Sequence, residues 1–248
     1  MVLDVIDVNM VEDKETLIRE AKFLEGRTLS QVMEDIEESD RASRVRTKGN
    51  VGYVLEKGFF GIEKNSEAKP DIEHLGVEIK TCPLKFNKDR TRLSVKEPLS
   101  LNIINYETEH LVADFKDSSL YQKNHDILFI FYIHDRRVDR SQYLIKYVFL
   151  WHMDERVISE LEPDYRKIIG EIKAGRAHKI HQHHHRCLTL CPKHSGKFKD
   201  PNCTKSKRKQ PFSEEKAEVR AFRLKNSYMN RIICRELGKE LGRGGWII

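Results

Sequence analysis

The sequence predicts an α/β fold in which helices flank a mixed central sheet, and three observations predict it. The run Asp126 to His134 (DILFIFYIH) is apolar and rich in β-branched and aromatic residues, which favours a buried strand over a helix. Leu17, Ile18, Ala21 and Leu24 share one face of a helix over Lys14 to Glu25, and Tyr165, Ile168, Ile169 and Ile172 share one over Glu162 to Gly175. Leu75 to Lys80 alternates as a strand does, with Val77 and Ile79 on one side and Glu78 and Lys80 on the other.

The remaining elements follow in order. Thr28 has the chemistry of an N-cap for a second helix through Val32 and Ile36. Lys48 to Gly52 reads as a turn, and Val51, Val54, Leu55 and Phe59 recur at helical spacing to about Phe60, placing Glu56 along that helix. A loop then ends at Lys69-Pro70. Further strands are expected over Leu99 to Tyr106 and Tyr143 to Met153, and His178 to His194 reads as strand with loop. Lys197 to Pro211 is a basic loop containing Pro, Asn and Ser, and a helix over Asn226 to Leu241 closes the chain. No internal repeat is present. The expectation is a single domain over residues 1–248, with a helical part at about 10–60 and a basic region at about 176–243.

Of the 248 residues 39% are hydrophobic, enough to bury a sizeable core, and 34% are charged. No apolar run reaches membrane-spanning length, and the N-terminal residues lack a basic region followed by a long apolar core, so neither a membrane span nor a secretory signal is expected. Five unevenly spaced cysteines do not suggest a disulfide framework, and a reducing, cytoplasmic setting fits them. The net charge of +6 is unevenly placed: Arg176 to Arg243 holds 18 Lys and Arg against 6 Asp and Glu, a surplus of 12, so the rest of the chain is at −6. Such a split fits a C-terminal third that faces a polyanion, and equally a solvated basic surface.

The chemistry-bearing pattern is Pro70-Asp71, six residues, then Glu78-Ile79-Lys80. Alternation puts Glu78 and Lys80 on one strand face, and an Asp entering a hairpin-like element can approach the same point. Two adjacent carboxylates repel each other, and a divalent cation resolves the repulsion; Mg²⁺ held by one or two carboxylates keeps positions for a phosphate oxygen and water. It lowers the pKa of that water, and a nearby Lys positions the water or stabilises charge developing at phosphorus. The same spacing also fits salt-bridged charges on a solvated strand. Two features favour the metal site: Glu78 and Lys80 interrupt an apolar strand, and Glu56 lies just upstream as a possible third carboxylate.

At these residues the chain resembles the MutH-like family, which comprises the mismatch-repair nicking endonuclease and type II restriction enzymes that cut at GATC. The resemblance rests on the helix pair around Leu17 to Leu29, Lys48-Gly49-Asn50-Val51-Gly52, Leu55-Glu56, and Lys69-Pro70-Asp71 with Gly76-Val77-Glu78-Ile79-Lys80-Thr81. Leu101-Asn102-Ile103-Ile104-Asn105-Tyr106-Glu107, Gln210-Pro211-Phe212-Ser213 and Arg220 to Met229 look like the restriction-enzyme branch, and the whole covers roughly Lys14 to Arg231. It implies a restriction-endonuclease-like fold with a PD-(D/E)xK core. It also implies Asp71 and Glu78 as Mg²⁺ ligands, Lys80 as the catalytic lysine, Glu56 as a supporting carboxylate and Lys123 as a further active-site lysine. DNA recognition would fall to Leu188 to Lys193 and Arg220 to Lys225, hence to Lys193, Arg220, Arg223 and Lys225, since Arg pairs with guanine and Lys with phosphate. An internal salt bridge is the other reading of Arg220; Phe222 and Leu224 read as core.

The chain departs from the resemblance at His181 to Cys203, which is dense in histidine and cysteine. Cys187, Cys191, His194 and Cys203 can be read as a structural zinc site, but their spacing is not a standard finger pattern. Packed cysteines and solvent histidines facing DNA phosphates are the alternative. Cys82 and Cys234 read as buried packing residues.

The expected function is therefore Mg²⁺-dependent hydrolysis of double-stranded DNA at a short palindrome, GATC for choice, by a type II restriction endonuclease acting as a monomer or a DNA-assembled dimer. The alternatives are a strand-nicking repair endonuclease activated by a protein partner and a DNA-binding module without catalysis.

Overall fold

The computed structural model describes residues 5–37, 51–62, 69–180, 185–193 and 207–248. The chain forms two compact units, Met1–Glu97 with Asp126–His152 and Ile232–Ile248, and Pro98–His125 with Met153–Arg231.

The first unit begins with α1 (Lys14–Ala21), whose N-cap Asp13 accepts from the Thr16 N–H at 2.7 Å. The chain continues through a 3₁₀ turn to α2 (Leu29–Glu37), where the Thr28 hydroxyl accepts from the Gln31 N–H at 3.4 Å. Val51 and Gly52, expected in a turn, instead begin α3 (Val51–Tyr53), because Val51 is buried in the core; Lys48 to Asn50 lie outside the described residues. The expected third helix then continues as a π-helix, Val54–Phe59, with Phe60 donating to the Leu55 carbonyl at 2.9 Å.

Four strands form the mixed sheet of this unit: β1 (Val77–Phe86), β2 (Leu93–Val95), β4 (Asp126–Ile133) and β5 (Ile145–His152), in the order β2-β1-β4-β5. β1 runs parallel to β4 and antiparallel to β2, and β4 runs antiparallel to β5. Leu75 belongs to a 3₁₀ turn ahead of β1 rather than to the strand. One face, including Val77, Ile79, Leu128, Ile130 and Val148, shares a core with Leu17, Leu24, Val32, Leu55 and Phe59. The other carries Phe129, Phe131, Phe149 and Trp151, whose rings lie 5.4–5.8 Å apart. Cys82 is buried in β1, and burial pushes its thiol up to about 12, so it stays neutral.

The second unit contains β3 (Leu99–Ile103), α4 (Tyr106–Glu109), α5 (Ser119–Asn124), α6 (Glu155–Lys173), β6 (Leu188–Pro192), the hairpin β7 (Lys207–Gln210) and β8 (Ser213–Glu218), and β9 (Arg220–Leu224). β3, β9 and β6 form an antiparallel sheet in that order. β3 stops earlier than the expected Tyr106, because Asn105 caps a helical turn there. α6 starts seven residues before the expected Glu162, since Asp154 supplies its N-cap at 2.8 Å to the Val157 N–H. The part of the basic loop that is described, from Lys207, pairs as β7. α7 (Asn226–Glu236) is divided between the units. Among the described residues no helix is long and apolar enough to cross a membrane.

At the start of β4, buried Asp126 receives Lys14 Nζ and His152 Nδ1, each at 2.6 Å. Burial pushes this carboxyl up, but the two hydrogen bonds outweigh it and hold it below the ordinary carboxylate range. A folded-state value lowered in this way makes its contribution complete above the unfolded value, about 4, and lost as pH falls through the folded value. Asp126→Asn should therefore flatten the acid limb of stability against pH, read from urea unfolding between about pH 2 and 5.

Candidate active site

The first unit brings Asp71, Glu78 and Lys80 together by folding the chain back on itself ahead of β1. Ile72 and Val77 exchange backbone hydrogen bonds at 2.9 and 3.1 Å across an intervening 3₁₀ turn, Glu73–Leu75. Gly76 closes that turn in the left-handed region, at φ 67°, a conformation open to glycine and costly to most side chains.

The fold-back creates a reciprocal arrangement. The Asp71 N–H donates to Glu78 Oε2 at 3.1 Å, and the Ile79 N–H donates to Asp71 Oδ2 at 2.9 Å. Each carboxylate is thus anchored by backbone that belongs to the other's segment. Glu78 is 2% exposed, and its Oε1 accepts from Lys80 Nζ, whose side chain is 22% exposed. Lys80 is in register with Phe129, on the aromatic face of the sheet. Burial alone would pull its ammonium down in pKa, but the charge of Glu78 and the hydrogen bond to it, then the charges of Asp71 and Glu56, raise it above the ordinary lysine value. Lys80 therefore stays a cation. Glu56, half-buried on the π-helix, belongs to the same electrostatic group as Lys80.

No group of three His, Cys, Asp or Glu side chains is close enough to hold a metal among the described residues. A hard divalent cation needs fewer, because one or two carboxylates suffice when waters complete its shell. Asp71 and Glu78 are such an oxygen donor pair, held at one place by the two backbone bonds.

Lys123 lies in the second unit, in the last turn of α5. The two expected recognition segments are adjacent in the β3-β9-β6 sheet, with Pro192 opposite Arg220 and Thr189 opposite Arg223. Lys193 is exposed. Arg223 and Lys225 are half-buried; Arg223 Nη2 lies 3.4 Å from Ser100 Oγ, and Lys225 Nζ donates to the His185 carbonyl. Arg220 is 7% exposed and is directed inward: Nη1 donates to the Ile180 carbonyl and Nη2 lies 3.3 Å from Glu218 Oε2. In this conformation its guanidinium braces the sheet, so the internal reading of Arg220 describes it. Phe222 and Leu224 are core.

Of the zinc candidates, His194 and Cys203 lie outside the described residues. Cys187 and Cys191 are buried thiols, and the Cys187 sulfur receives Arg231 Nη2 at 3.1 Å.

Sequence reasoning missed Asp164. Buried in α6 beside Pro163, it accepts from the N–H groups of Arg186, Cys187 and Leu188 at 2.6 to 3.1 Å and so fixes the start of β6. Its one sequence signal is a Pro-Asp pair inside a helical stripe, which does not identify its partners. It also missed Gln210, whose side chain accepts from the Ala177 N–H at 2.8 Å and donates to the Glu215 carbonyl at 2.6 Å, a structural task for that box.

A family model described as "DNA mismatch repair enzyme MutH" matches residues 60–164, a stretch that includes Asp71, Glu78, Lys80 and Lys123. The chain is 35% identical over 190 residues to the type II restriction enzyme Sau3AI of Staphylococcus aureus, covering 76% of this chain and 37% of that protein. It is 28% identical over 180 residues to the DNA mismatch repair protein MutH of Shewanella woodyi, covering 71% of this chain and 74% of that one. With MutH of Actinobacillus pleuropneumoniae the identity is 27% over 184 residues, covering 73% and 76%. The chain thus spans little more than a third of the length of Sau3AI.

Gly76→Ala should destabilise the chain by about 1 kcal/mol, the cost of a left-handed non-glycine residue, and lower the urea midpoint accordingly.

Proposed function

We propose that this chain, which belongs to the MutH-like restriction endonuclease family, hydrolyses phosphodiester bonds of double-stranded DNA in a Mg²⁺-dependent reaction. The observation that carries this reading is the convergence of Asp71, Glu78 and Lys80 at the entrance of β1. The fold we read there is a restriction-endonuclease-like PD-(D/E)xK core, in which the two units together serve as one endonuclease domain of a cytoplasmic protein.

Asp71 and Glu78 would hold the Mg²⁺. When bound, the ion supplies an activated water and charge neutralisation at the phosphate. The chain's own groups do the rest. The N–H groups of Asp71 and Ile79 orient the carboxylate oxygens. Lys80, kept protonated by the surrounding acids, acts as a fixed cation and not as a base, and in the substrate complex it faces charge that builds on the phosphate oxygens. Glu56 steadies that ammonium electrostatically, and Lys123 is assigned to the same chemistry from the family resemblance.

Sequence readout is assigned to the β6 and β9 segments, with Arg223 as base contact and Lys193 and Lys225 as phosphate contacts. The 35% identity to a restriction enzyme, against 28% and 27% to the repair proteins, supports cleavage of both strands, and the family resemblance makes GATC the site to try first. One active centre per chain then calls for two chains assembled on DNA or two successive events.

Lys80→Ala and Asp71→Ala should each reduce cleavage at least a thousandfold while duplex binding persists, and EDTA should stop the unaltered chain until Mg²⁺ is restored (about 4 kcal/mol of barrier). A supercoiled plasmid carrying one GATC separates the outcomes: linear product supports restriction, nicked circle supports repair-type nicking, and intact plasmid with Mg²⁺ refutes the reading.

Lys193→Ala should weaken binding to all duplexes alike and reduce the salt slope by about 1. Arg220→Ala should instead lower the unfolding midpoint, because it strands the Ile180 carbonyl and Glu218, by about 1–3 kcal/mol.

A further inference from the structure

The charge surplus of the sequence lies in its C-terminal third, yet the first unit builds a cationic surface from residues outside that third. The turn between β1 and β2 and the turn after β4 together form a concavity of about 530 Å³. Lys85, Lys88, Arg90, Lys96, Arg136 and Arg137 line it, with Asp135 as the carboxylate among its lining. Asp135 is engaged by Arg90 at 2.8 Å and Arg137 at 3.0 Å, and Glu97 by Lys96 at 2.9 Å. So many like charges repel one another unless a polyanion is their counterpart.

The surface is stiffened as well as charged. Arg90 has a positive φ of 61°, and its guanidinium sits 4.3 Å over the Phe86 ring. Strain of this kind persists only where surroundings enforce it. Asn87 Oδ1 accepts from the Arg92 N–H at 3.0 Å and Nδ2 donates to Thr91 Oγ1 at 3.2 Å, which fixes the hairpin turn. The Arg90–Asp135 pair ties that turn to the one after β4. Lys85 is held over Trp246, 5.9 Å from the ring centre.

We propose that this surface is a second DNA-backbone site, which grips phosphates remote from the bond that is cut. The cations are spread along two turns and do not converge on one point, which suits a row of phosphates better than a single small anion. Lys85 lies five residues along β1 from Lys80, about 17 Å at strand spacing. That span equals about five phosphate steps along one DNA strand. The inference rests on the nuclease reading for DNA as the polyanion. The phosphates belong either to the flank of the duplex being cut or to a second duplex.

The test uses the full chain and a Lys88→Ala/Arg136→Ala double variant; both side chains are exposed and far along β1 and β4 from the proposed catalytic group. Thermal unfolding of the two proteins should coincide. Fluorescence anisotropy in EDTA reads binding of a long duplex across a salt series. The expected result is roughly a tenfold loss of affinity and a log–log salt slope shallower by about 2 in the variant. If the flank is gripped, a duplex only as long as the recognition segment is bound and cut as before; if a second duplex is gripped, the variant binds one short duplex per chain where the unaltered chain binds two. Either outcome supports the site. An unchanged slope and affinity on the long duplex overturns it. Absence of cutting on the short duplex by the unaltered chain refutes the nuclease reading instead.

Discussion

Two carboxylates next to each other in a poorly solvated place are an electrostatic liability, and the fold-back before β1 exists to hold them there. The Asp71 N–H is bonded to Glu78, and the Ile79 N–H is bonded to Asp71, so neither acid can swing away without breaking a bond that steadies the other. Glycine at position 76 makes the turn tight enough for this exchange. The ammonium of Lys80 offsets part of the repulsion, and β1 is rigid because it has neighbours on both sides, β2 and β4. What the centre can do chemically follows from this constraint: charge is concentrated where a cation and a phosphate are needed, before either arrives.

The supporting elements solve related problems with backbone groups. The π-helical register over Val54–Phe59 sets the direction of Glu56, and π turns recur where a side chain must be re-aimed. In the second unit, Asp164 gathers three consecutive N–H groups at the start of β6. A buried carboxylate with such a set of donors needs no cationic partner. The expected recognition segments then lie side by side because β6 and β9 are paired.

Elements whose cores follow a period were legible in the sequence. The stripe of Tyr165, Ile168, Ile169 and Ile172 is buried as its spacing requires, and Asp126 to Ile133 is a central strand. That Glu78 and Lys80 share a face was legible from alternation alone. The approach of Asp71 was legible as a spacing, but its means, a left-handed glycine and two backbone bonds, leaves no pattern in residue types. The inward orientation of Arg220 was equally hidden, since a buried and an exposed arginine have the same letter. Long-range pairing was out of reach for the same reason: Leu99 is opposite Leu224, and nothing local to either strand names its partner. The cationic concavity in the first unit joins two turns far apart in sequence, each unremarked alone.

The chain passes between its two compact units four times, and β1 finds its parallel neighbour β4 only after the excursion through residues 98–125. Parallel pairings of this kind form slowly, because a long loop must close before any bond rewards it. During synthesis the acidic pair therefore leaves the ribosome well before the strand that locks it in place. A nascent or truncated polypeptide carries the cutting residues without the scaffold that aims them, and a host genome is spared until the last strands have docked.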